Sequence, residues 1–262
     1  MGARSGLSVE VQEDEQRAVR AAAERIASVI RARDAAGEAA VLGLATGATM
    51  VGVYGELVRM HRQEGLSFAK VVSFNLDEYW PMGPQHPQSY RRFMQEMLFD
   101  HVDIVPENTH LPDGTLAEDA LEQHCHDYER FIRQAGEIDH FIVGIGRTGH
   151  IGFNEPGSGA GSRTRLVTLD HRTREDNARL ADPGTDVPAK ALSMGVGTIL
   201  EARAITLLAL GGHKAPIVAR ALEGSVNEEV AASYLQVHGN THVILDRAAA
   251  SALSDSTGPE AP

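Results

Sequence analysis

The feature of this sequence that most constrains its fold is an alternation of short apolar runs with longer amphipathic segments. The apolar runs are too short for most helices and lack the polar alternation of a half-exposed strand. They lie at 39–45, 69–75, 139–145, 166–169, 204–210 and 242–245. Segments with apolar residues at helical spacing lie at 14–33, 49–63, 88–100, 117–135 and 213–222. Apolar strands separated by helices predict an α/β fold with a single doubly wound, mainly parallel sheet and helices on both faces.

The chain has 262 residues and no internal Pro/Ser-rich linker. We therefore predict a single domain over 1–247, because α/β domains of this length often fold undivided. The remaining segment, 248–262, is rich in small and polar residues and is expected to be a disordered tail.

Charge limits the classes of partner that this chain can bind, and cysteine content indicates its redox compartment. The formal net charge is −12 and there is no run rich in Lys or Arg, which argues against nucleic acid or an anionic membrane as a partner. A small anionic substrate is still compatible, since local cations and backbone N–H groups can bind it. The single cysteine, Cys125, excludes an intrachain disulfide and fits a reducing compartment. No segment resembles a signal peptide or a membrane span, so a cytoplasmic location is expected.

The turn after the first apolar run is Thr46-Gly47-Ala48-Thr49, at the start of a predicted helix. Glycine permits a positive φ, and a helix start offers free N–H groups that suit a phosphate. The alternative is an ordinary glycine turn with Thr49 as the N-cap. The turn is neither a Walker A loop nor GxGxxG, so nucleotide binding is not indicated.

The second run leads into Asp77 and Glu78, two adjacent carboxylates. Substrates bind where parallel strands end, and neighbouring negative charges raise a pKa, so one carboxylate is a candidate general base. The alternative is a helix-capping Asp beside a solvated Glu.

The third turn, 144–156, carries the strongest signal because it holds four glycines within nine residues. It also holds His150 and Glu155, which can meet across a turn. A carboxylate that orients an imidazole is typical of proton transfer near neutral pH. A metal site is disfavoured, since no second His or Cys lies at ligand spacing. Two cations, Arg179 and Lys214, lie in later segments that could reach a bound anion; the alternative is solvated surface charge.

From about residue 42 to about residue 246, the sequence resembles the glucosamine-6-phosphate deaminase family. The resemblance rests on segments that follow one another in the family's order, with FNLDEY and GHIGFNEP the most specific. The full set of matching segments is LGLATGAT, VSFNLDEY, HPQSYRRFM, FDHVDI, GHIGFNEPGS, SRTRLVTL, MGVGTIL and GGHKA. The resemblance implies a modified Rossmann-like domain, a cytoplasmic enzyme of amino-sugar catabolism, and no metal or nucleotide cofactor.

The same resemblance implies roles for individual residues. Asp77 matches the base that moves a proton between C2 and C1, and His150 with its partner Glu155 matches the group that opens the pyranose ring. The turn formed by Thr46, Gly47, Ala48 and Thr49 matches the phosphate site, together with Arg179 and Lys214. The substrate is expected to be glucosamine 6-phosphate and the products fructose 6-phosphate and ammonia.

The sequence also departs from the family. Many members carry Asp, and some Asn, at the position of Thr148, so a carboxylate contribution to ring opening is lost here. Allosteric members use a Ser and a Lys where this chain has Gly159 and Val167. Ser158 and Arg165 are retained, but half a phosphate pocket makes activation by N-acetylglucosamine 6-phosphate unexpected.

Three alternatives stay open at this point. A 6-phosphogluconolactonase shares the phosphate turn and the glycine-rich His motif, although FNLDEY and Glu155 favour the deaminase. The same deaminase chemistry could act on galactosamine 6-phosphate, and a non-catalytic sugar-phosphate sensor would need a partner-binding element that the sequence does not offer. Because the family includes hexamers and smaller forms, a homo-oligomer is compatible with the sequence.

Overall fold

The fold is built on two sheets whose strands we number in chain order. A computed structural model describes residues 6–178 and 187–254. The strands are β1 (Leu7–Gln12), β2 (Ala40–Leu44), β3 (Val71–Asn75), β4 (Asp77–Trp80), β5 (Thr109–His110), β6 (His140–Val143), β7 (Arg165–Thr168), β8 (Lys190–Ser193), β9 (Ile205–Ala209) and β10 (Thr241–Asp246). Seven of them form a parallel sheet in the order β1-β10-β9-β6-β2-β3-β5.

Seven α-helices surround this sheet in the described part of the chain. They are α1 (Glu15–Ala35), α2 (Ala48–Glu64), α3 (Tyr90–Met97), α4 (Leu121–Gln134), α5 (His171–Ala178), α6 (Val196–Leu200) and α7 (Ala215–Glu223). Strands β2, β6 and β9 are buried along their whole length, as expected for a sheet covered on both faces. The predicted doubly wound, mainly parallel α/β fold is confirmed.

Two strands differ from the prediction. The run at 166–169 does not join the parallel sheet: β7 pairs antiparallel with β8, and β8 with β4, in a separate three-stranded sheet. The edge strand β1 was missed, because its sequence LSVEVQ alternates and is too polar to read as a buried strand. Its partner is β10, in parallel register from Leu7 opposite Thr241.

The order of the strands in the sheet determines where the loops with the predicted site residues lie. From β2 the chain proceeds to β3 and β5 on one side, and to β6, β9 and β10 on the other. Ligands of doubly wound sheets bind where the strand order reverses in this way, at the carboxyl ends of the strands. The predicted site segments follow β2, β3, β6 and β9, which are neighbours in the sheet, so they meet at one edge.

The end of the chain corrects the predicted tail. Residues 248–254 form turns against the core, with Ala249 fully buried and the Ser254 N–H donating to Glu223 over 2.8 Å. The rest of the predicted tail, 255–262, lies outside the described residues. No helix within 6–178 or 187–254 is long and apolar enough to cross a membrane.

Candidate active site

A cleft of about 190 Å³ opens at the carboxyl ends of β2, β3 and β6. Its lining includes the turn 46–49, Asp77, His150 and Lys214. The structure thus brings together most of the predicted site residues from four separate segments. Arg179 directly follows α5 and lies outside the described residues.

The turn 46–49 presents backbone N–H groups to the cleft. Gly47 has φ +107° and is the N-cap of α2, and no side chain caps this helix. The alternative in which Thr49 is the N-cap is therefore wrong, because Thr49 lies in the first helical turn. A helix start without a capping side chain leaves N–H groups and the positive end of the dipole available to an anion.

Lys214 supplies a positive charge to the same cleft. It is the N-cap residue of α7, and its Nζ donates to the Ile145 carbonyl over 2.8 Å. Burial lowers the pKa of Lys214, since a charged ammonium loses hydration there. An anion in the cleft would compensate that loss.

The adjacent carboxylates have different environments. Glu78 is 3% exposed and accepts from Ser89 Oγ at 2.7 Å and from the N–H groups of Tyr79, Tyr90 and Arg91 at 2.9, 3.0 and 2.9 Å. It therefore satisfies the first N–H groups of α3. The alternative of a capping Asp beside a solvated Glu is wrong, because Glu78 takes the capping role and is buried.

Asp77 lies in a different environment from that of Glu78. It is 5% exposed and lines the cleft, and no group in the described ranges donates a hydrogen bond to it. Burial, and then the negative charge of Glu78, raises the pKa of Asp77 well above its ordinary value. A buried carboxylate without donors is a stronger base than a solvated one.

His150 and Glu155 meet across the glycine-rich turn as predicted. Nδ1 of His150 lies 3.2 Å from Glu155 Oε2 and 2.9 Å from Thr148 Oγ1. Although burial raises it, the pKa of Glu155 is lowered overall by its bonds to His150, Thr173 and Thr148. An ionised Glu155 can only accept hydrogen bonds, so this contact favours the tautomer of a neutral imidazole that has its proton on Nδ1 and a lone pair on Nε2.

Two glycines of this turn are required for different reasons. A Cβ at Gly146 would lie 2.0 Å from His150 Nε2 and would displace the imidazole from its position. Gly152 has φ +56°, a left-handed conformation that residues other than glycine rarely adopt. The glycines therefore allow a backbone path that other residues would strain or block.

Thr148 and Glu155 do not line the cleft themselves but lie behind His150. Thr148 Oγ1 is 3.2 Å from Glu155 Oε2, so the hydroxyl at the family's Asp position lies between imidazole and carboxylate. It has one proton to donate to Glu155 and can accept from Nδ1. Thr148 is thus placed to position the pair rather than to contact substrate.

Sequence reasoning missed the contribution of α5. Thr173 is 4% exposed and donates to Glu155 Oε1 over 2.5 Å, and Asn177 Nδ2 donates to Tyr79 Oη over 2.7 Å. Thr173 and Asn177 both line the cleft. The helix has no apolar stripe, and its sequence HRTREDNA is typical of a solvated surface. Nothing in its pattern indicates that a threonine contacts the Glu155 carboxylate.

Ser158 and Arg165, the two residues that match the allosteric pocket of some family members, are hydrogen-bonded to each other. Arg165 donates to Ser158 Oγ and to Asn154 Oδ1, both over 3.0 Å. Burial lowers the pKa of Arg165.

Comparison with known proteins defines the class. Residues 13–244 match the family model described as glucosamine-6-phosphate isomerases/6-phosphogluconolactonase. The chain belongs to this family, which matches the fold and the site described above.

The relatives distinguish the two branches of the family. A glucosamine-6-phosphate deaminase of Hahella chejuensis is 50% identical over 215 residues, covering 82% of this chain and 81% of the relative. A solved structure described as a monomeric glucosamine-6-phosphate deaminase has a TM-score of 0.89 and 41% identity, covering 94% of this chain and 99% of that one. The 6-phosphogluconolactonase from Trypanosoma brucei has a TM-score of 0.72 but 19% identity, with 94% and 98% covered, and shares the fold alone. The prediction of a glucosamine-6-phosphate deaminase is confirmed over the lactonase alternative, and the chain is an enzyme of amino-sugar metabolism.

Proposed function

We propose that this cleft isomerises and deaminates glucosamine 6-phosphate, giving fructose 6-phosphate and ammonia, with Asp77 as the base. The observation that carries the proposal is Asp77 itself. It is a buried carboxylate to which no described residue donates a hydrogen bond, and it lines the same small cleft as His150. Lactone hydrolysis needs a base for water but none for a carbon-bound proton. Aldose–ketose isomerisation needs a base beside C2, and this is the role that Asp77 can fill.

Ring opening falls to His150. Nε2 takes the proton of the C1 hydroxyl as the bond between C1 and the ring oxygen breaks, and the resulting imidazolium returns a proton to that oxygen. Glu155 stabilises the imidazolium through Nδ1 and holds the ring in one tautomer. Thr148 and Thr173 hold both oxygens of Glu155. These two threonines are positioning residues in this scheme.

Asp77 then acts on the open-chain aldose. It removes the proton from C2, and O1 takes a proton from the substrate's ammonium group, which gives a 2-amino enol. Asp77 then delivers its proton to C1, and an iminium forms at C2. Attack of one water on the C2 imine that results and loss of ammonia give fructose 6-phosphate. The raised pKa of Asp77 suits both halves of this transfer, because the group is basic enough to take the proton and acidic enough to return it.

The phosphate would bind to the N–H groups of the turn 46–49 and to Lys214, with Arg179 as the third group. The start of α2 and the ammonium group of Lys214 both line the cleft. The phosphate would restore to Lys214 the interactions that burial removes.

Ammonia release tests the proposal directly. The enzyme is given glucosamine 6-phosphate, galactosamine 6-phosphate or 6-phosphogluconolactone in parallel, and release of ammonia from the first alone or from the first in preference to the second is expected. Hydrolysis of the lactone without ammonia release from either amino sugar would overturn the proposal. The Asp77→Asn variant is the matched control, since it keeps the shape of the side chain while it removes the base.

A further inference from the structure

A second cavity lies between the glycine-rich turn 144–156, α5 and α7. Its volume is about 340 Å³, and its walls carry three arginines and a histidine: Arg147, Arg172, Arg220 and His213. Thr148 is also part of its lining. This concentration of cations stands out in a chain with 36 acidic and 24 basic residues.

The cations around this cavity are poorly compensated by the protein. Most described arginines contact a carboxylate or a carbonyl, but the side chains of Arg172 and Arg220 have neither a hydrogen bond nor an ion pair with any residue in the described ranges. Arg147 pairs with Asp176 over 3.1 Å and is 42% exposed. The cavity therefore has more positive charge than the surrounding carboxylates neutralise.

The first turn of α7 adds to the positive potential. Pro216 and Ile217 from this turn border the cavity, so the N-terminal end of the helix dipole lies at its wall. Planar guanidinium groups that converge with a helix start are suited to the oxygens of a phosphoryl group.

We propose that this cavity binds the phosphoryl group of a small molecule at a site separate from the catalytic cleft, and that the bound anion lowers turnover. Among residues 6–178 and 187–254 the two sites share no lining residue. The cleft is lined by the turn 46–49, Asp77, His150 and Lys214, and the cavity by Arg172, Arg220 and His213. Thr148 lines the cavity and contacts Nδ1 of His150 at 2.9 Å, which links the two.

The coupling follows from Arg147. A phosphoryl group beside Arg147 competes with Asp176 for the guanidinium and weakens one of the contacts that hold α5. Helix α5 carries Thr173, which positions the Glu155 carboxylate. When α5 is held less firmly, Glu155 is less well oriented. The value of kcat should therefore fall, while KM should change little.

Calorimetric titration of the full chain tests the site. The cleft is first saturated with the open-chain alditol of glucosamine 6-phosphate, which lacks the carbonyl and cannot react. Inorganic phosphate and glycerol 3-phosphate are then titrated separately at constant ionic strength, which distinguishes a free phosphate from a phosphate ester. We expect saturable binding of one equivalent of at least one of them. The double variant Arg172→Gln/Arg220→Gln should weaken it by about tenfold or more.

The control is Arg17→Gln/Arg130→Gln, which removes the same charge from exposed ion pairs elsewhere on the surface and should bind as the wild type does. In steady-state assays at saturating substrate, the same ligand should lower the kcat of the wild type but not of the Arg172/Arg220 double variant. The site is refuted by the absence of saturable binding in the alditol complex, or by equal binding in the double variant. It is also refuted if the double variant loses affinity for the alditol to the same extent, since the arginines would then serve the catalytic phosphate. Binding without a fall in kcat would refute the coupling.

Discussion

Replacement of Thr173 by valine removes a hydroxyl from α5 without a large change in shape. Thr173 is buried, and the only hydrogen bond that its hydroxyl makes within the described residues goes to Glu155 Oε1 at 2.5 Å. The other oxygen, Oε2, keeps Thr148 and His150 as its partners. The substitution therefore deprives one oxygen of an ionised carboxylate of its donor.

The magnitude follows from the strength of that bond. A hydrogen bond to a charged group contributes about 1.5–3 kcal/mol, and about 1.4 kcal/mol corresponds to a tenfold change in rate. Since Thr148 and His150 still contact Oε2, we expect a loss at the lower end of this energy range, which corresponds to a fall of about tenfold in kcat. Removal of a donor also raises the pKa of Glu155 towards its ordinary value, so the acid limb of the pH–rate profile should move to higher pH.

The assay is ammonia release from glucosamine 6-phosphate as a function of substrate concentration and pH. Thr173→Ser is the matched control, because it restores the hydroxyl and should return both kcat and the pH profile to near wild-type values. Melting temperatures of both variants establish that each is folded. A Thr173→Val enzyme with wild-type kcat and an unmoved acid limb would refute the positioning role, as would a loss confined to KM.

Four further outcomes are expected. Asp77→Asn should bind the alditol normally but lose nearly all turnover and all exchange of the C2 proton with solvent deuterium; ordinary turnover would exclude Asp77 as the base. Lys214→Met should weaken substrate binding by about 1.5–3 kcal/mol, while an unchanged affinity would place the ammonium away from the phosphate. His150→Ala should lower kcat by about 10²–10⁴, and Thr148→Ala much less; equal effects would contradict the assignment of ring opening to the imidazole. Burial lowers the pKa of His140 from 6.5 to about 4. Between these pH values the unfolded chain binds the proton more tightly, so the free energy of unfolding should fall by about 3 kcal/mol as the pH drops through them. His140→Leu should reduce this pH dependence in denaturant titrations at pH 7 and pH 4.5, and an unchanged pH dependence would assign it to other groups.

Local sequence patterns were sufficient for the class of fold. A strand that is apolar on both faces is stable only inside a sheet that is covered on both sides. Substrates bind at the carboxyl ends of such strands, so the turn 46–49, Asp77, His150 and Lys214 were candidates, with their roles implied by the family resemblance. The structure places all of them in the lining of one cleft. The sequence did not reveal β1, whose alternating LSVEVQ is stabilised as a strand by its pairing with β10.

Tertiary structure decided what the sequence left ambiguous. Asp77 and Glu78 are both carboxylates, and the sequence pattern does not distinguish them. The start of α3 supplies donors to Glu78 and none to Asp77, which is why we propose Asp77 as the base. Thr173 is 18 residues from Glu155 in the chain, and it contacts the Glu155 carboxylate only because α5 packs against the glycine-rich turn 144–156. Such contacts depend on the relative placement of elements that are distant in sequence, and no periodicity or local motif encodes that placement.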